Sequence, residues 1–190
     1  MKDVYEFCPQ FENEKYLLRL IEEKDLEDLH KVYSDKKAVP FFNGDNCNGD
    51  NFYYQTIERM KQAVDFWIFS YKERYFVRWT IFDKSTNQAI GTIELFHRDS
   101  ENDVFDNCAL LRLDLRSDYE KSTEIENILS LIIPKAFDLF DCDKIATKCW
   151  ENARERKIAL EKIGFLSTSH KLIGESEEYD NYFVLEKNRR

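Results

Sequence analysis

The sequence predicts a mixed α/β domain, with a single β-sheet and helices on both of its faces. Three observations carry that reading. Apolar residues alternate with period two in several β-rich runs, and amphipathic helical stripes stand between those runs. At 190 residues the chain is long enough for one full core and short for two, so residues 1–190 are expected to form a single domain. The expected order of elements is β, α, α, β-hairpin, β, α, β, α, β.

Tyr16–Leu20 reads as the first strand. Glu22, Glu23, Lys24 and Asp25 then open a helix whose stripe is Leu26, Leu29, Val32 and Tyr33. Residues 43–51, Asn-Gly-Asp-Asn-Cys-Asn-Gly-Asp-Asn, are rich in turn formers and predict a polar loop. A second helix follows with Ile57, Met60, Val64 and Trp67 on one face. Two β-rich runs, 75–82 and 89–96, are joined by a polar connection that predicts a hairpin. In 108–115, Leu111, Leu113 and Leu115 alternate with Leu110, Arg112 and Asp114, a period of two. The clearest helix spans 123–140, with Ile125, Ile128, Leu129, Ile132, Ala136, Phe137 and Phe140 on one stripe. Thr123 and Glu126 make a capping-box pattern, and Pro134 predicts a kink. A strand over 144–150 leads to a helix over 153–163, with Asn152 as N-cap and Gly164 just beyond the end. The tail holds at least one more strand near Tyr182 to Leu185.

Composition excludes several classes. The net charge of −9 argues against nonspecific binding to nucleic acid or to an anionic membrane. Cys8, Cys47, Cys108, Cys142 and Cys149 are odd in number and include no Cys-x-x-Cys pair, and the three histidines are far apart in sequence. Neither a metal site nor a disulfide framework is expected. No apolar run approaches the ~20 residues of a membrane span, and no signal-like segment opens the chain. A soluble protein of the cytoplasm is expected.

Three segments, in order, resemble the acetyl-CoA-dependent N-acyltransferases of the GNAT superfamily. Leu17-Leu18-Arg19-Leu20 through Asp25 and Leu29 is similar to the opening of the ribosomal-protein-type N-acetyltransferases. Ile90-Gly91-Thr92-Ile93 is the second segment. The third is residues 143–165, a short strand and a helix ending in Lys162-Ile163-Gly164-Phe165, with Tyr179-Asp180-Asn181-Tyr182 beyond it. The resemblance implies a GNAT-like fold whose sheet splays between the strand ending at Leu115 and the strand near residues 145–150. It implies acetyl-CoA as co-substrate, its pantetheine arm on the backbone of Leu113, Asp114 and Leu115. It implies a pyrophosphate at the start of the next helix, where free amides and the helix dipole favour an anion. Here Lys121, Ser122 and Thr123 stand in the loop where the family carries glycines, with Glu120, Glu124 and Glu126 around the helix start, and Asn152 joins the cofactor-binding set.

Glu94 is the candidate general base, since a carboxylate in a desolvated cleft gains proton affinity; the alternative is a solvent-facing strand residue. His97 has a suitable intrinsic pKa but lies at a strand end. Asp114 should face away from its leucine neighbours, toward the cleft or the solvent. Tyr182 and Tyr179 are candidate acids for the leaving thiolate, against ordinary core packing. Cys149 without a positioned histidine reads as a buried strand residue. The 43–51 loop is either a substrate lid or a plain surface loop.

Two functions follow. The first is an N-acyltransferase that moves acetyl from acetyl-CoA to a primary amine, on a small molecule or a protein N-terminus, with a backbone amide of the Leu113 strand stabilising the oxyanion. The second, prompted by the glycine-free loop, is a GNAT-like binding or interaction module without transfer activity. Because strands in this fold often pair, a homodimer is a candidate assembly.

Overall fold

Alternation of side chains decides the strands, and their pairing builds one large sheet. The computed structural model describes residues 3–187. Strands β1 (Phe11–Glu12) and β2 (Tyr16–Leu20) are followed by a 3₁₀ turn and helix α1 (Leu26–Tyr33). Helix α2 (Ile57–Lys72), the β3 (Val77–Asp83) and β4 (Gln88–Arg98) hairpin and β5 (Cys108–Leu115) come next. Helix α3 (Ser122–Leu139), β6 (Lys144–Lys148) and α4 (Arg154–Ile163) complete the main body. The tail adds β7 (Leu166–Ser167), β8 (Leu172–Ile173), β9 (Glu178–Tyr179) and β10 (Tyr182–Glu186). Eight strands form a sheet in the order β1-β2-β3-β4-β5-β6-β10-β7, while β8 and β9 pair separately. Among the described residues, β5 and β6 are the sheet's parallel pair and the others run antiparallel.

The two faces of the sheet differ in chemistry. Val77, Trp79, Ile81, Ile93, Leu95, Leu111 and Leu113 share one apolar cluster with Ile125, Ile128 and Leu129 of α3 and Leu160 of α4. The opposite face lies under α1 and α2, whose Leu29, Val32, Tyr33, Met60, Val64 and Trp67 form a second cluster. Toward those helices the central strands present Arg78, Thr80, Thr92, Glu94, Arg112 and Asp114, which pair laterally as Arg78 with Glu94, Glu94 with Arg112, and Thr92 with Asp114. Five of these six are buried, and Arg112 is nearly so.

Several expected boundaries shift. Helix α3 starts at Ser122 with Lys121 as N-cap, so Thr123 and Glu126 form no capping box; Glu126 pairs instead with Lys162 at 2.6 Å. The helix continues through Pro134 without interruption. Helix α4 starts at Arg154, its N-cap is Ala153, and Asn152 therefore does not cap it. Gly164 does end α4, in the left-handed conformation at φ 110° that suits glycine.

Gly91 is required for close strand approach. A Cβ at that position would run into the carbonyl oxygen of Asp114 and lie 3.1 Å from the Cα of Leu115. Gly91→Ala should therefore push β4 from β5 and lower stability by roughly 1–3 kcal/mol, read as a lower urea midpoint at unchanged slope.

Candidate active site

The parallel pairing of β5 and β6 runs from Cys108 opposite Lys144 to Leu111 opposite Thr147 and stops there. Strand β5 continues to Leu115 while β6 ends at Lys148, so the two part company toward the start of α3. The backbone of Leu113 faces this opening, since its carbonyl accepts from Arg156 Nη1 at 2.9 Å. Asp114 does not face it: its carbonyl lies against Gly91 of β4, and its carboxylate accepts from Tyr33 at 2.8 Å and from Arg78 at 3.2 Å. Of the three consecutive residues expected to offer their backbone to the opening, only Leu113 and Leu115 turn toward it, because alternate residues of a strand point their amides to opposite neighbours.

Side chains and chain segments bridge the opening. Arg156 of α4 also donates to the carbonyl of Phe41 at 3.0 Å and forms a two-bond ion pair with Glu120, at 2.7 and 2.8 Å. Trp150 Nε1 donates to the carbonyl of Phe42 at 3.2 Å. Asp45 links the parted strands: its carboxylate takes Lys148 of β6 at 2.7 Å, and its carbonyl takes Arg112 of β5 at 2.8 Å. Tyr182 donates to the same carboxylate at 3.0 Å. The 43–51 loop is therefore pinned across the opening at Asp45 rather than lying as a plain surface loop.

The start of α3 holds an anion supplied by the chain itself. The amide of Ser122 donates to Glu155 at 2.8 Å, which holds that carboxyl below its ordinary pKa. The acids expected to repel a phosphate here are each paired: Glu120 with Arg156, Glu124 with Lys15, and Glu126 with Lys162. Lys121 and Thr123 are exposed. Beside them lies a pocket of about 510 Å³ lined by Lys37, Phe41, Asn152, Arg154, Glu155 and Arg156. The Ser122 amide and the Lys37 and Arg154 side chains are donors of the kind a phosphate takes, while Arg156 is already paired with Glu120, and Asp118, Glu120 and Glu155 bring three carboxylates to the same pocket. These donors fit the anionic part of acetyl-CoA once Glu155 leaves the Ser122 amide, with Asn152 on the pocket wall.

On the α1/α2 side, a second pocket of about 440 Å³ has Arg78, Glu94 and Arg112 among its lining residues. Glu94 is 1% exposed, ion-paired with Arg78 and held by Arg112 at 2.8 Å. Burial pushes its pKa up, but the two guanidinium groups outweigh burial and hold the carboxyl below its ordinary value. The raised proton affinity expected of Glu94 is not found, and neither is solvent exposure. Asp114 behaves oppositely: burial outweighs Arg78 and Tyr33 and raises its pKa. Arg78 stacks on Trp67 with its guanidinium carbon 4.0 Å from the ring centre.

Burial, reinforced by the charge of Asp45, holds the Tyr182 hydroxyl well above its ordinary pKa. Tyr179 lies beside the 43–51 loop and packs near Lys148. His97 sits at the other end of β5 from the opening, opposite Ala109, and bonds the Phe140 carbonyl and Asp99. Burial opposes its protonation, yet those bonds raise its pKa. Burial pushes the Cys149 thiol up to about 11, which suits a packed residue rather than a nucleophile. All five cysteines are free, and among the described residues no cluster is placed to hold a metal.

Sequence reasoning missed Arg156, Asp45, Lys148 and Arg78. Arg156 did leave a signal, as a charge in line with Ala159, Leu160 and Ile163 on the inward stripe of α4.

The chain thus combines a parted parallel pair, a helix start beside the opening and an aromatic-walled pocket with a charged floor across the sheet. The family model of the acetyltransferase (GNAT) domain matches residues 15–166, and the chain belongs to that family of N-acetyltransferase enzymes. Its fold is similar to that of a ribosomal alpha-N-protein acetyltransferase solved in complex with coenzyme A, with a TM-score of 0.72 and 14% identity over 96% of this chain and 100% of that one. A ribosomal-protein alanine acetyltransferase from Vibrio fischeri gives 0.69 and 16% identity over 95% and 98%. An acetyltransferase of the GNAT family from Bacillus anthracis gives 0.67 and 17% over 94% and 98%. No curated protein matches the chain. Among the described residues no helix is long and apolar enough to cross a membrane.

The charge cluster makes a pH-dependent prediction. A carboxyl whose folded pKa is depressed stabilises the fold above its unfolded pKa, and that stabilisation is lost as pH falls through the folded value. Glu94→Gln leaves two guanidinium groups short of a counter-charge and should cost about 3 kcal/mol at neutral pH. Urea midpoints should also fall less steeply on acidification in the variant than in the parent; equal slopes would show that Glu94 carries no such stabilisation.

Proposed function

We propose that this chain transfers an acetyl group from acetyl-CoA to a primary amine, on a small molecule or at a protein N-terminus. The observation that carries the reading is the parting of β5 and β6 after Leu111 and Thr147, in a chain of this family. Acetyl-CoA supplies an activated acetyl thioester. Leu113 and Leu115 offer it a strand edge, with Leu113 released by Arg156, and Lys37, Arg154, Lys121 and the amides of Ser122 and Thr123 offer its phosphates positive partners. The acceptor enters from the pocket that Glu94 lines.

Glu94 serves there as a fixed anion rather than as a strong base. Its carboxylate accepts from two guanidinium groups, and their positive field favours the neutral form of an entering amine. A neutral amine needs no strong base to attack, so the proton is lost to solvent on entry. Tyr182 keeps its proton at Oη beside Lys148 at the mouth of the opening, where a donor to the departing sulfur belongs.

Release of free thiol from acetyl-CoA in the presence of an amine panel tests this function. Amine-dependent release is expected, with calorimetric binding of acetyl-CoA in the micromolar range. Absence of both with folded protein would falsify the reading. Glu155 is exposed and occupies the Ser122 amide, so Glu155→Ala should tighten CoA binding roughly 2–5-fold while slightly lowering the unfolding midpoint.

A further inference from the structure

The pocket that Glu94 lines has a composition that selects its occupant. Its volume, about 440 Å³, suits one small ligand. Aromatic rings make up much of its wall, among them Phe52, Tyr54, Phe66, Trp67, Phe76 and Phe96. Its charged lining residues are Arg59, Arg78 and Arg112 against Asp50 and Glu94, and Asp114 beneath the floor, 3.2 Å from Arg78, balances the third guanidinium group. Arg59 is held by Asp50 at 2.7 Å at the more open end, and Arg78 and Arg112 share Glu94 at the floor. The Nε of Arg78 is buried and makes no hydrogen bond among the described residues. A buried guanidinium with an unused donor, on the floor of a pocket it helps to line, calls for an oxygen acceptor.

We infer that the acceptor is a free aromatic α-amino acid, a zwitterion whose ring packs on these walls and whose carboxylate supplies the missing acceptor. The inference rests on the reading of this pocket as the acceptor site. The carboxylate pairs with the guanidinium groups, and the α-amine beside it points to the opening between β5 and β6. Arg112 marks that direction, since it lies one residue beyond the last β5–β6 pair. In the transfer the ammonium gives one proton to solvent, its nitrogen bonds the acetyl carbon, the carbon–sulfur bond breaks, the nitrogen loses a second proton, and the sulfur leaves as the thiol. The products are the N-acetyl amino acid and CoA.

The test compares phenylalanine with phenethylamine, alanine, phenylalanine amide and a phenylalanine-alanine dipeptide, in calorimetric binding and in thiol release from acetyl-CoA. Phenylalanine should bind roughly tenfold more tightly than each of the others, the scale of one charged hydrogen bond or one buried ring, and should show the highest kcat/KM. Arg112→Met, at the less buried of the two guanidinium groups on the floor, should bring the phenylalanine to phenethylamine ratio of kcat/KM toward one. Phe66→Ala should raise KM for phenylalanine more than for alanine. Turnover of phenethylamine, the amide or the dipeptide at or above the phenylalanine rate overturns the inference while the transferase reading stands. A dipeptide preference would point to polypeptide N-termini instead. No thiol release with any amine removes the transferase reading itself, and the acceptor assignment falls with it.

Discussion

Everything on the α1/α2 side of the sheet is arranged around one buried guanidinium. Arg78 is 1% exposed, and it touches Glu94, Asp114, Thr92 and Tyr33 with its two terminal nitrogens while Trp67 covers its face. A charge taken out of water is tolerated only when paired and hydrogen-bonded. Here the pairing requires the β3, β4 and β5 register to place residues 78, 94 and 112 in one row. It also fixes α1 through Tyr33 and α2 through Trp67. The desolvation that would have made Glu94 a good base is spent instead on holding this row together, which is why its pKa moves down while that of Asp114 moves up.

That dependence separates what the sequence discloses from what it hides. Strands Tyr16–Leu20 and Cys108–Leu115 are legible to the residue, because their alternation faces an apolar layer on one side. Helix α2 shows its buried stripe in the same way, apart from Ile57, which is exposed at its first turn. The two-residue strand β1 is too short to show a period. The expected capping box of α3 is absent for a physical reason: the side chain that occupies this helix start comes from elsewhere in the chain. Glu155 takes the Ser122 amide across 33 residues, and no local capping pattern encodes it. Of the expected site residues, Glu94, Tyr182 and Asn152 line cavities and Leu113 borders the parting of β5 and β6. Their partners were not legible in the sequence, because Arg78 with Glu94, Arg112 with Glu94 and Lys148 with Asp45 meet through register and loop placement rather than through spacing.

The loop without glycines has a consequence for how the site works. Glycines let a phosphate approach backbone amides closely, and their absence leaves fewer such donors. Arg154, Arg156 and Lys37 shift the positive charge from backbone to side chains, which reach farther but lose more conformational freedom on binding. Arg156 limits that loss because it is already ordered, held by Glu120 and by the carbonyls of Phe41 and Leu113. Those same contacts keep the Leu113 edge occupied.

The opening between β5 and β6 is therefore built without help from a ligand. Residues 41–45 act as a wedge: the carbonyls of Phe41 and Phe42 take donors from α4 and Trp150, and Asp45 takes Lys148 and Arg112 from the two parted strands. A wedge anchored by buried charges cannot relax into continued strand pairing without leaving Lys148 unpaired and Arg112 with Glu94 alone, a loss larger than one or two ladder hydrogen bonds return. The separation of the strands is thus a property of the folded chain. Ligand binding then has to exchange the Arg156 contact on Leu113 but need not open the sheet, and a preformed cleft of that kind is what lets binding energy be directed to aligning the reacting groups.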